Sequence, residues 1–435
     1  MTILARFALA ISLSAALLGG CGVLRQAQDD MQPPIGAPGA IPQAAAIAPA
    51  RSAAHRLSAS YQQLFRFHPP KNGTHPTAAL LDVNDAMYGT TTTGGLSHKG
   101  TVYQISTSGV EKALYRFRGG SDGSDPESRL IDVNGTLYGT TSKGGSGTGT
   151  VYSVSTSGRE KVLYAFKGGS DGAHPLAGLV DVSGTLYGTT SQGGGSGCTT
   201  TSTSGCGTVF SVTTSGQETV LHRFAGGSDG EYPSVGDLID VNGVLYGTTA
   251  QGGTTYGDGT VYSITPAGVE KVLYAFQGQA DGTDGIFPVG GLLNVSGTLY
   301  GTTLNGGSFS ICSGGCGTVY SISTSGAENV LYRFTGGSDG DNPLAALIEV
   351  NGLLYGTTIS GGCCGTKCGL GTGCGTIYSI STSGAETLLY RFAAGTDGFY
   401  PAAPLTNVSG TLYGTTELGG HGHEYGSGTA FTLSL

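Results

Sequence analysis

Tryptophan is absent from this 435-residue sequence, methionine occurs three times, and charged residues make up only 11% of the chain. Basic residues are scarce: 20 Lys and Arg against 29 Asp and Glu give a formal net charge of −9. Binding to nucleic acid needs a basic surface that neutralises phosphates, so this balance argues against a nucleic-acid partner. Low charge together with 22 Tyr and 14 Phe also argues against disorder over most of the length. The 80 glycines follow no three-residue period, which excludes a collagen triple helix.

The first twenty residues differ from the rest. A single Arg6 precedes an apolar run that is short for a membrane span, and residues 1–20 are therefore predicted to be a secretory signal peptide. The run ends in Leu18-Gly19-Gly20-Cys21, which resembles a bacterial lipobox, and the resemblance implies a lipid-modified Cys21. Because Gly22 rather than Asp follows this cysteine, the resemblance also implies that the protein is located at the outer membrane or the cell surface. An ordinary export signal with an incidental cysteine is the alternative.

Residues 21–57 hold that cysteine and then a segment rich in Ala, Pro and Gln, without a periodicity of 2 or 3.6 residues. We interpret this segment as a flexible tether that holds the folded part away from the lipid.

Residues 58–435 are a tandem repeat with four recurring markers. The clearest marker is the string YGTT, which occurs seven times. The others are a GT[VIA][YF] string, an L[YFH][RA]F string and a Pro before a short apolar run. The YGTT tyrosines are Tyr88, Tyr138, Tyr187, Tyr246, Tyr300, Tyr355 and Tyr413.

Each repeat contains four short runs, a to d, rich in β-branched and aromatic residues and separated by Asn-Gly, Ser-Gly or longer Gly-rich turns. Both faces of these runs carry apolar residues, so each sheet must pack between neighbours. The pattern predicts an all-β seven-bladed β-propeller of four-stranded antiparallel blades, with kelch-like strand order. The chain starts with a lone d run and ends after a, b and c, so the N-terminal strand is predicted to close the ring. A β-solenoid is the competing fold.

The string GGSDG…P…L(I)DVNGTLYGTT…GG…GTVYSISTSG resembles the GloVer tandem repeat, which occurs in bacterial surface proteins with assorted anchors. The resemblance covers all seven units. It implies repeat identity and an exported setting, and it implies no ligand and no reaction.

Two classes of loop differ in their variability. The a–b and c–d turns, on the face that we call the bottom, are nearly the same in every repeat, whereas the b–c loops on the opposite top face vary most. Loops on a rigid scaffold commonly carry function, so the top face is the predicted recognition surface, centred over blades 3, 5 and 6. Tyr256, Phe309 and Ile311 are apolar candidates for contacts there.

Eight cysteines besides Cys21 lie in three of the b–c loops, with an even number in each loop, which predicts disulfides inside each loop of an exported protein. The four-cysteine loop allows three pairings. Because a bond between the adjacent Cys363 and Cys364 would be strained, each is expected to pair with Cys368 or Cys374. A zinc site is the rival interpretation. The cysteines are Cys198 and Cys206, Cys312 and Cys316, and Cys363, Cys364, Cys368 and Cys374.

Two rings of polar residues recur in the repeats. An Asx-Gly in each d–a loop could bind Ca²⁺, but an Asx turn that caps its own backbone is the favoured interpretation. An Asp, Asn or Glu near the end of each run a could charge the central channel, and a hydrogen bond to the following turn is favoured instead.

His98, His421 and His423 are weak candidates for a transition-metal site.

No nucleophile elbow, P-loop or dinucleotide-binding motif stands out, so no cofactor is expected. The sequence therefore favours a lipid-anchored binding or structural propeller, monomeric, with a glycan or protein ligand. An extracellular enzyme that acts on a polysaccharide or small molecule at the propeller axis is the alternative.

Overall fold

The computed structural model describes residues 59–195, 198, 205–233, 236–309, 312–362, 373–420 and 426–435. Residues 59–435 form one compact unit. The described part of the chain holds no helix with the length and hydrophobicity that a membrane-spanning segment needs.

The described residues form short strands, with three 3₁₀ turns (Gly120–Asp122, Gly169–Asp171 and Gly227–Asp229) and one helical turn, α1 (Gly278–Asp281). The strands are, in chain order, β1 (Ser60–Arg66), β2 (Leu81–Val83), β3 (Ala86–Thr91), β4 (Thr101–Ser106), β5 (Glu111–Arg116), β6 (Ile131–Val133), β7 (Thr136–Thr141), β8 (Thr150–Ser155), β9 (Glu160–Ala165), β10 (Val180–Val182), β11 (Thr185–Thr190), β12 (Thr208–Thr213), β13 (Glu218–Arg223), β14 (Ile239–Val241), β15 (Val244–Thr249), β16 (Thr260–Ile264), β17 (Glu270–Ala275), β18 (Gly285–Ile286), β19 (Leu293–Val295), β20 (Thr298–Thr303), β21 (Asn305–Gly306), β22 (Thr318–Ser323), β23 (Glu328–Arg333), β24 (Ile348–Val350), β25 (Leu353–Thr358), β26 (Thr376–Ser381), β27 (Glu386–Arg391), β28 (Thr406–Val408), β29 (Thr411–Thr416) and β30 (Thr429–Ser434).

These strands confirm the predicted seven-bladed propeller. Each blade is a four-stranded antiparallel sheet in the order a, b, c, d, with the three-residue strand a innermost. Blades 1 to 4 are β2–β5, β6–β9, β10–β13 and β14–β17; blade 5 is β19, β20, β22 and β23; blade 6 is β24–β27. The innermost strands of neighbouring blades touch around the ring, including β2 with β28.

Blade 7 confirms the predicted closure, because its order is β1-β30-β29-β28. The first strand of the chain pairs antiparallel with the last, from Ser60 opposite Ser434 to Arg66 opposite Thr429. The Tyr61 ring stacks on Tyr390 of blade 6, with centroids 4.2 Å apart. The N-terminal strand therefore supplies both the missing edge and part of the interface with blade 6.

Aromatic pairs join neighbouring blades. A Phe that directly follows each strand d meets, edge to face, the aromatic residue of strand c in the next blade, with ring centroids 5.0 to 5.4 Å apart. The pairs are Phe67–Tyr103, Phe117–Tyr152, Phe166–Phe210, Phe224–Tyr262, Phe276–Tyr320, Phe334–Tyr378 and Phe392–Phe431. Because these rings are fully buried, they form the core between the sheets.

The glycine of YGTT is explained by the same aromatic residue. In blade 4 a Cβ on Gly247 would lie 2.7 Å from Tyr262 Oη and 2.8 Å from Leu238 Cδ2. The strand-c ring thus lies directly over strand b, where only a residue without a side chain leaves room. The YGTT marker is therefore a packing motif.

Candidate top-face binding site

The top loops rise from an identical base in every blade. The last Thr of YGTT in strand b and the first Thr of strand c share a buried side-chain hydrogen bond of 2.7 or 2.8 Å. The sequence separation of the two residues nevertheless ranges from 9 for Thr141–Thr150 to 18 for Thr190–Thr208. The loops therefore change length above a fixed and buried root.

The d–a loops lie beside these b–c loops. In most blades one residue of each loop forms an antiparallel bridge, such as Ser124 with Lys143, and in blade 5 the contact lengthens into the two-stranded sheet β18–β21. An ion pair of 2.9 Å between Lys143 and Asp125 reinforces the contact in blade 2. Both loop classes thus form one continuous top surface.

The bottom a–b turns, in contrast, share one hydrogen bond in most blades. In five a–b turns the Gly amide donates a hydrogen bond to the side-chain oxygen of the residue three positions earlier. These acceptors are Asp181, Asp240, Asn294, Glu349 and Asn407. They belong to the polar ring near the end of strand a, so the turn-bonding interpretation is confirmed for these five residues.

Two of the predicted disulfides are present. Cys198 is bonded to Cys206 and Cys312 to Cys316, and the second cysteine of each pair is fully buried beside strand c. Cys374, at the equivalent position of blade 6, is also disulfide-bonded. Cys363, Cys364 and Cys368 lie outside the described residues, so the pairing in that loop stays a prediction.

Large apolar side chains are exposed on the top loops. Tyr256 is 58% exposed in blade 4 and Phe309 is 44% exposed in blade 5, while Ile311 lies outside the described residues. Sequence reasoning missed Leu96 in blade 1, which is 72% exposed. The signal for it in the sequence is a large apolar residue directly after Gly94-Gly95 in a b–c loop. Whether these residues bind a partner stays a prediction.

The recurring aspartates of the d–a loops are bonded within their own surroundings. In blades 1 and 2, for example, Asp122 and Asp171 each accept a hydrogen bond from a strand-d tyrosine hydroxyl, at 2.8 and 2.7 Å, and from a backbone N–H four residues earlier. Local capping is thus confirmed, with a tyrosine partner that the sequence did not predict. The loop after strand d of blade 4 has aspartates at positions 281 and 284, and there Asp284 accepts the hydrogen bond from the Tyr274 hydroxyl, at 2.9 Å.

A glutamate of the next blade faces each of several aspartates. Burial, and then the charge of the neighbouring aspartate, raise the pKa of Glu160 and of Glu386 to about 7. The pKa of Glu218 rises to about 7 for the same two reasons. The outer rim of the ring therefore holds carboxyl pairs in which the glutamate has a raised pKa.

Blade 3 departs from this pattern. His222 replaces the strand-d tyrosine, and its Nε2 lies 3.2 Å from Asp229 Oδ2. Glu270 of blade 4 is close to both residues, so that one donor atom from each of the three lies within 4.8 Å of the others. In the sequence, this departure is visible as LHRF in place of LYRF or LYAF at the end of run d. The metal candidate His98 is exposed on its top loop, and His421 and His423 lie outside the described residues.

A second departure lies on the inner side of the ring. Arg129 precedes strand a of blade 2 and forms an ion pair with Asp237, which precedes strand a of blade 4. The Gly178 amide of blade 3, between them, donates a hydrogen bond to the same aspartate. The two side chains meet along the inner wall although their blades are not neighbours. Only these two repeats contribute to this ion pair, so it is not part of the sevenfold pattern.

The motifs of the seven blades match a known family model. The Gloeobacter/Verrucomicrobia repeat matches residues 54–202 and 196–431, which together cover most of the chain. The chain belongs to this family. The resemblance to the GloVer repeat, which was based on strings such as YGTT and GTVYSISTSG, is thereby confirmed.

Solved structures that resemble this Gloeobacter/Verrucomicrobia repeat protein are distant. PorZ, a surface component of the type-IX secretion system of Porphyromonas gingivalis, is 12% identical with a TM-score of 0.49, over 84% of this chain and 47% of PorZ. A puromycin hydrolase is 13% identical with a TM-score of 0.47, over 81% and 52% of the two chains. A gluconolactonase from Xanthomonas campestris is 15% identical with a TM-score of 0.40, over 85% and 99%.

The Gloeobacter/Verrucomicrobia repeat chain thus spans about half the length of the first two of these structures. Similarity at this level does not identify a shared activity. A comparison with curated proteins found no match.

Proposed function

We propose that this protein is an exported, lipid-anchored propeller that binds a glycan or a protein ligand through the loops of its top face. The observation that carries the proposal is the common root of the top loops. Every loop starts at the same Thr–Thr hydrogen bond, yet loop length doubles between blades. Variation above a fixed base is what a recognition surface on a rigid scaffold requires.

The disulfides support this proposal in two ways. They favour an oxidising, extracytoplasmic setting. They also restrain long Gly-rich loops before a partner arrives, which lowers the conformational entropy lost on binding. Protection of exposed loops from proteolysis is the competing role of the Cys198–Cys206 and Cys312–Cys316 bonds.

Exposed aromatic residues supply the contact chemistry. Tyr256 and Phe309 stand on the top loops of adjacent blades. Aromatic faces suit both the apolar side of sugar rings and hot spots of protein interfaces. The net charge of −9 makes a polyanionic ligand a poor partner.

An array of glycans and envelope proteins, probed with three forms of the protein, tests the proposal. The first form is wild type. The second has the loops between Thr190 and Thr208 and between Thr303 and Thr318 replaced by residues 142–149 of blade 2, which bridge the same Thr–Thr root. The third, a matched control, carries Val110→Ser and Val269→Ser, which remove exposed apolar side chains from the bottom turns.

Wild type and the bottom-face control should bind the same array members, and the loop-shortened protein should lose at least about tenfold in affinity, equivalent to about 1.4 kcal/mol. Equal binding by all three forms would place recognition elsewhere.

The anchor is proposed separately, because Cys21 lies outside the described residues. Replacing Cys21 with Ser should release the protein from the membrane fraction, since lipid attached at this position would hold it there. Continued membrane association of the variant would require a different anchor.

An enzyme at the propeller axis is the second candidate function, and the Arg129–Asp237 ion pair favours it. The corresponding inner positions of other blades carry Ala79, Gly291 and Ala346, so the pair breaks the symmetry of the inner wall. A panel of lactones, esters and oligosaccharides tests this function. Turnover by wild type that is lost in Asp237→Asn would favour the enzyme.

A further inference from the structure

The rim between blades 3 and 4 carries a side-chain set found at no other described blade interface. The fifth residue of strand d is His222 in blade 3 and a tyrosine in five other blades. Those tyrosines are Tyr115, Tyr164, Tyr274, Tyr332 and Tyr390. Because the backbone is otherwise repeated, the replacement changes the chemistry of one interface and leaves its geometry in place.

The three side chains at this interface come from separate elements. His222 belongs to β13, Asp229 ends the 3₁₀ turn Gly227–Asp229, and Glu270 begins β17 of the next blade. Asp229 is held in place by the backbone N–H of Ala225, 2.6 Å from Oδ2. His222 and Asp229 are 19% and 22% exposed, so the set is sheltered but reachable from solvent.

Tyrosine and histidine offer opposite chemistry at this point. A tyrosine hydroxyl donates a hydrogen bond to the carboxylate that faces it, as Tyr164 does to Asp171 at 2.7 Å. A neutral imidazole instead presents a nitrogen lone pair, which is a metal ligand. In blade 3 that nitrogen faces two carboxyl groups. Glu270 Oε1 is buried without a hydrogen-bond partner, as is the same atom of Glu160 and Glu218, so His222 alone distinguishes this interface. A cation bound there would pair with that oxygen and offset the repulsion between the carboxylates.

We propose that His222, Asp229 and Glu270 form a binding site for a divalent transition metal, with Zn²⁺ as the natural probe. One nitrogen and two carboxylate oxygens are a Zn²⁺ ligand set, and three protein ligands leave a fourth position for water. Ligands 2.0 to 2.2 Å from one tetrahedral ion lie about 3.3 to 3.6 Å apart. The donor atoms lie within 4.8 Å of one another already, so small side-chain rotations complete the site.

A simple ion pair is the competing explanation, in which protonated His222 neutralises Asp229 and no metal binds. The repeat itself supplies two variants that separate the alternatives. His222→Tyr restores the residue of the other blades and is expected to fold. Tyr164→His builds the same set at the previous interface, with Asp171 and Glu218 as the carboxyl partners.

Calorimetric titration of chelator-treated, full-chain protein with Zn²⁺ is the test, together with thermal unfolding with and without Zn²⁺. Wild type should bind one equivalent and melt higher with Zn²⁺, whereas His222→Tyr should bind none and show no shift. Tyr164→His should bind a second equivalent. Excess Ca²⁺ should not displace Zn²⁺, because a hard cation prefers oxygen ligands alone.

Equal Zn²⁺ stoichiometry in wild type and His222→Tyr would overturn the proposal, as would a wild-type protein that binds no Zn²⁺. A double variant, His421→Ala with His423→Ala, provides the control for the seventh blade. Loss of the single Zn²⁺ equivalent in that variant, with His222→Tyr unaffected, would assign the metal to the top loop and would also overturn it.

Discussion

The bottom turns and the top loops of this propeller are made by the same seven repeats, but they are constrained differently. In a typical bottom a–b turn, the Gly backbone N–H donates a hydrogen bond to the side chain three residues earlier, as Gly184 does to Asp181. A top loop keeps only its Thr–Thr root, and the separation there varies from 9 to 18 residues. Stability is therefore concentrated in the strands and bottom turns, and the top loops are free to diverge.

Removing the closing strand β1 should cause the largest loss of stability, because β1 belongs to the strands and not to the variable top loops. Deletion of residues 57–67 leaves β30 with an open edge and removes Phe67, which is fully buried against Tyr103. Loss of one buried Phe costs about 3–5 kcal/mol, so unfolding should become easier by more than about 5 kcal/mol, with aggregation.

Size-exclusion chromatography and thermal unfolding measure this effect. A chain that begins at Ala59 keeps β1 and should melt like the whole protein. A monomeric deletion variant with an unchanged melting temperature would show that the ring closes in another way.

Overpacking one blade should have a smaller effect. Gly247→Ala places a methyl group against Tyr262 and Leu238, which should cost about 1–3 kcal/mol in urea unfolding. Gly337→Ala is the control, because its nearest atom outside the chain neighbours is Thr335 Oγ1 at 3.8 Å. Equal free energies of unfolding for the two variants would contradict the packing role of the YGTT glycine.

The carboxyl pairs of the rim should make stability depend on pH. Glu160, Glu218 and Glu386 have folded-state pKa values of about 7, above the ordinary value of 4.5. The folded state therefore binds more protons than the unfolded state between these values, and stability should fall as pH rises from 4.5 to 7.

Thermal unfolding between pH 4.5 and 8 measures this slope. Replacement of the three residues by Gln should make the slope shallower, because the amide cannot ionise. Part of the slope should remain, because burial also raises the pKa of Asp341 to about 7. A melting temperature that rises across the same interval would rule out the carboxyl pairs as the dominant titrating groups.

Shortening the top loops should have the smallest effect on stability. Exchange of the blade 3 and blade 5 loops for residues 142–149 retains the Thr–Thr roots but removes the Cys198–Cys206 and Cys312–Cys316 bonds. Each bond shortens the chain that must close between the two Thr residues, as the shorter loop also does, so stability should change by about 1 kcal/mol or less. Urea unfolding checks this expectation. A loss as large as that from the closing-strand deletion would make the loops part of the scaffold.

The sequence predicted the fold well because each strand signal recurs seven times. Strand order, closure by the first strand and two disulfides all follow from markers that can be aligned within the chain. The exceptions were harder. His222 and Glu270 are 48 positions apart, and only a defined blade interface brings them together.

The Arg129–Asp237 contact was hidden for a related reason. It skips a blade, and it depends on Gly178 leaving space between the two side chains. The repeat pattern predicts the structure that all blades share. A contact such as this one depends on residues that differ from the repeat in particular blades, so the pattern does not predict it.

Hydrogen exchange with and without the strongest ligand from the array tests the central claim most directly. The account predicts slower exchange in the top loops of blades 3, 4 and 5, including the segments around Tyr256 and Phe309, and unchanged exchange in the c–d turns at Gly109 and Gly268. Protection confined to those bottom turns, or to the inner wall around Arg129 and Asp237, would contradict it.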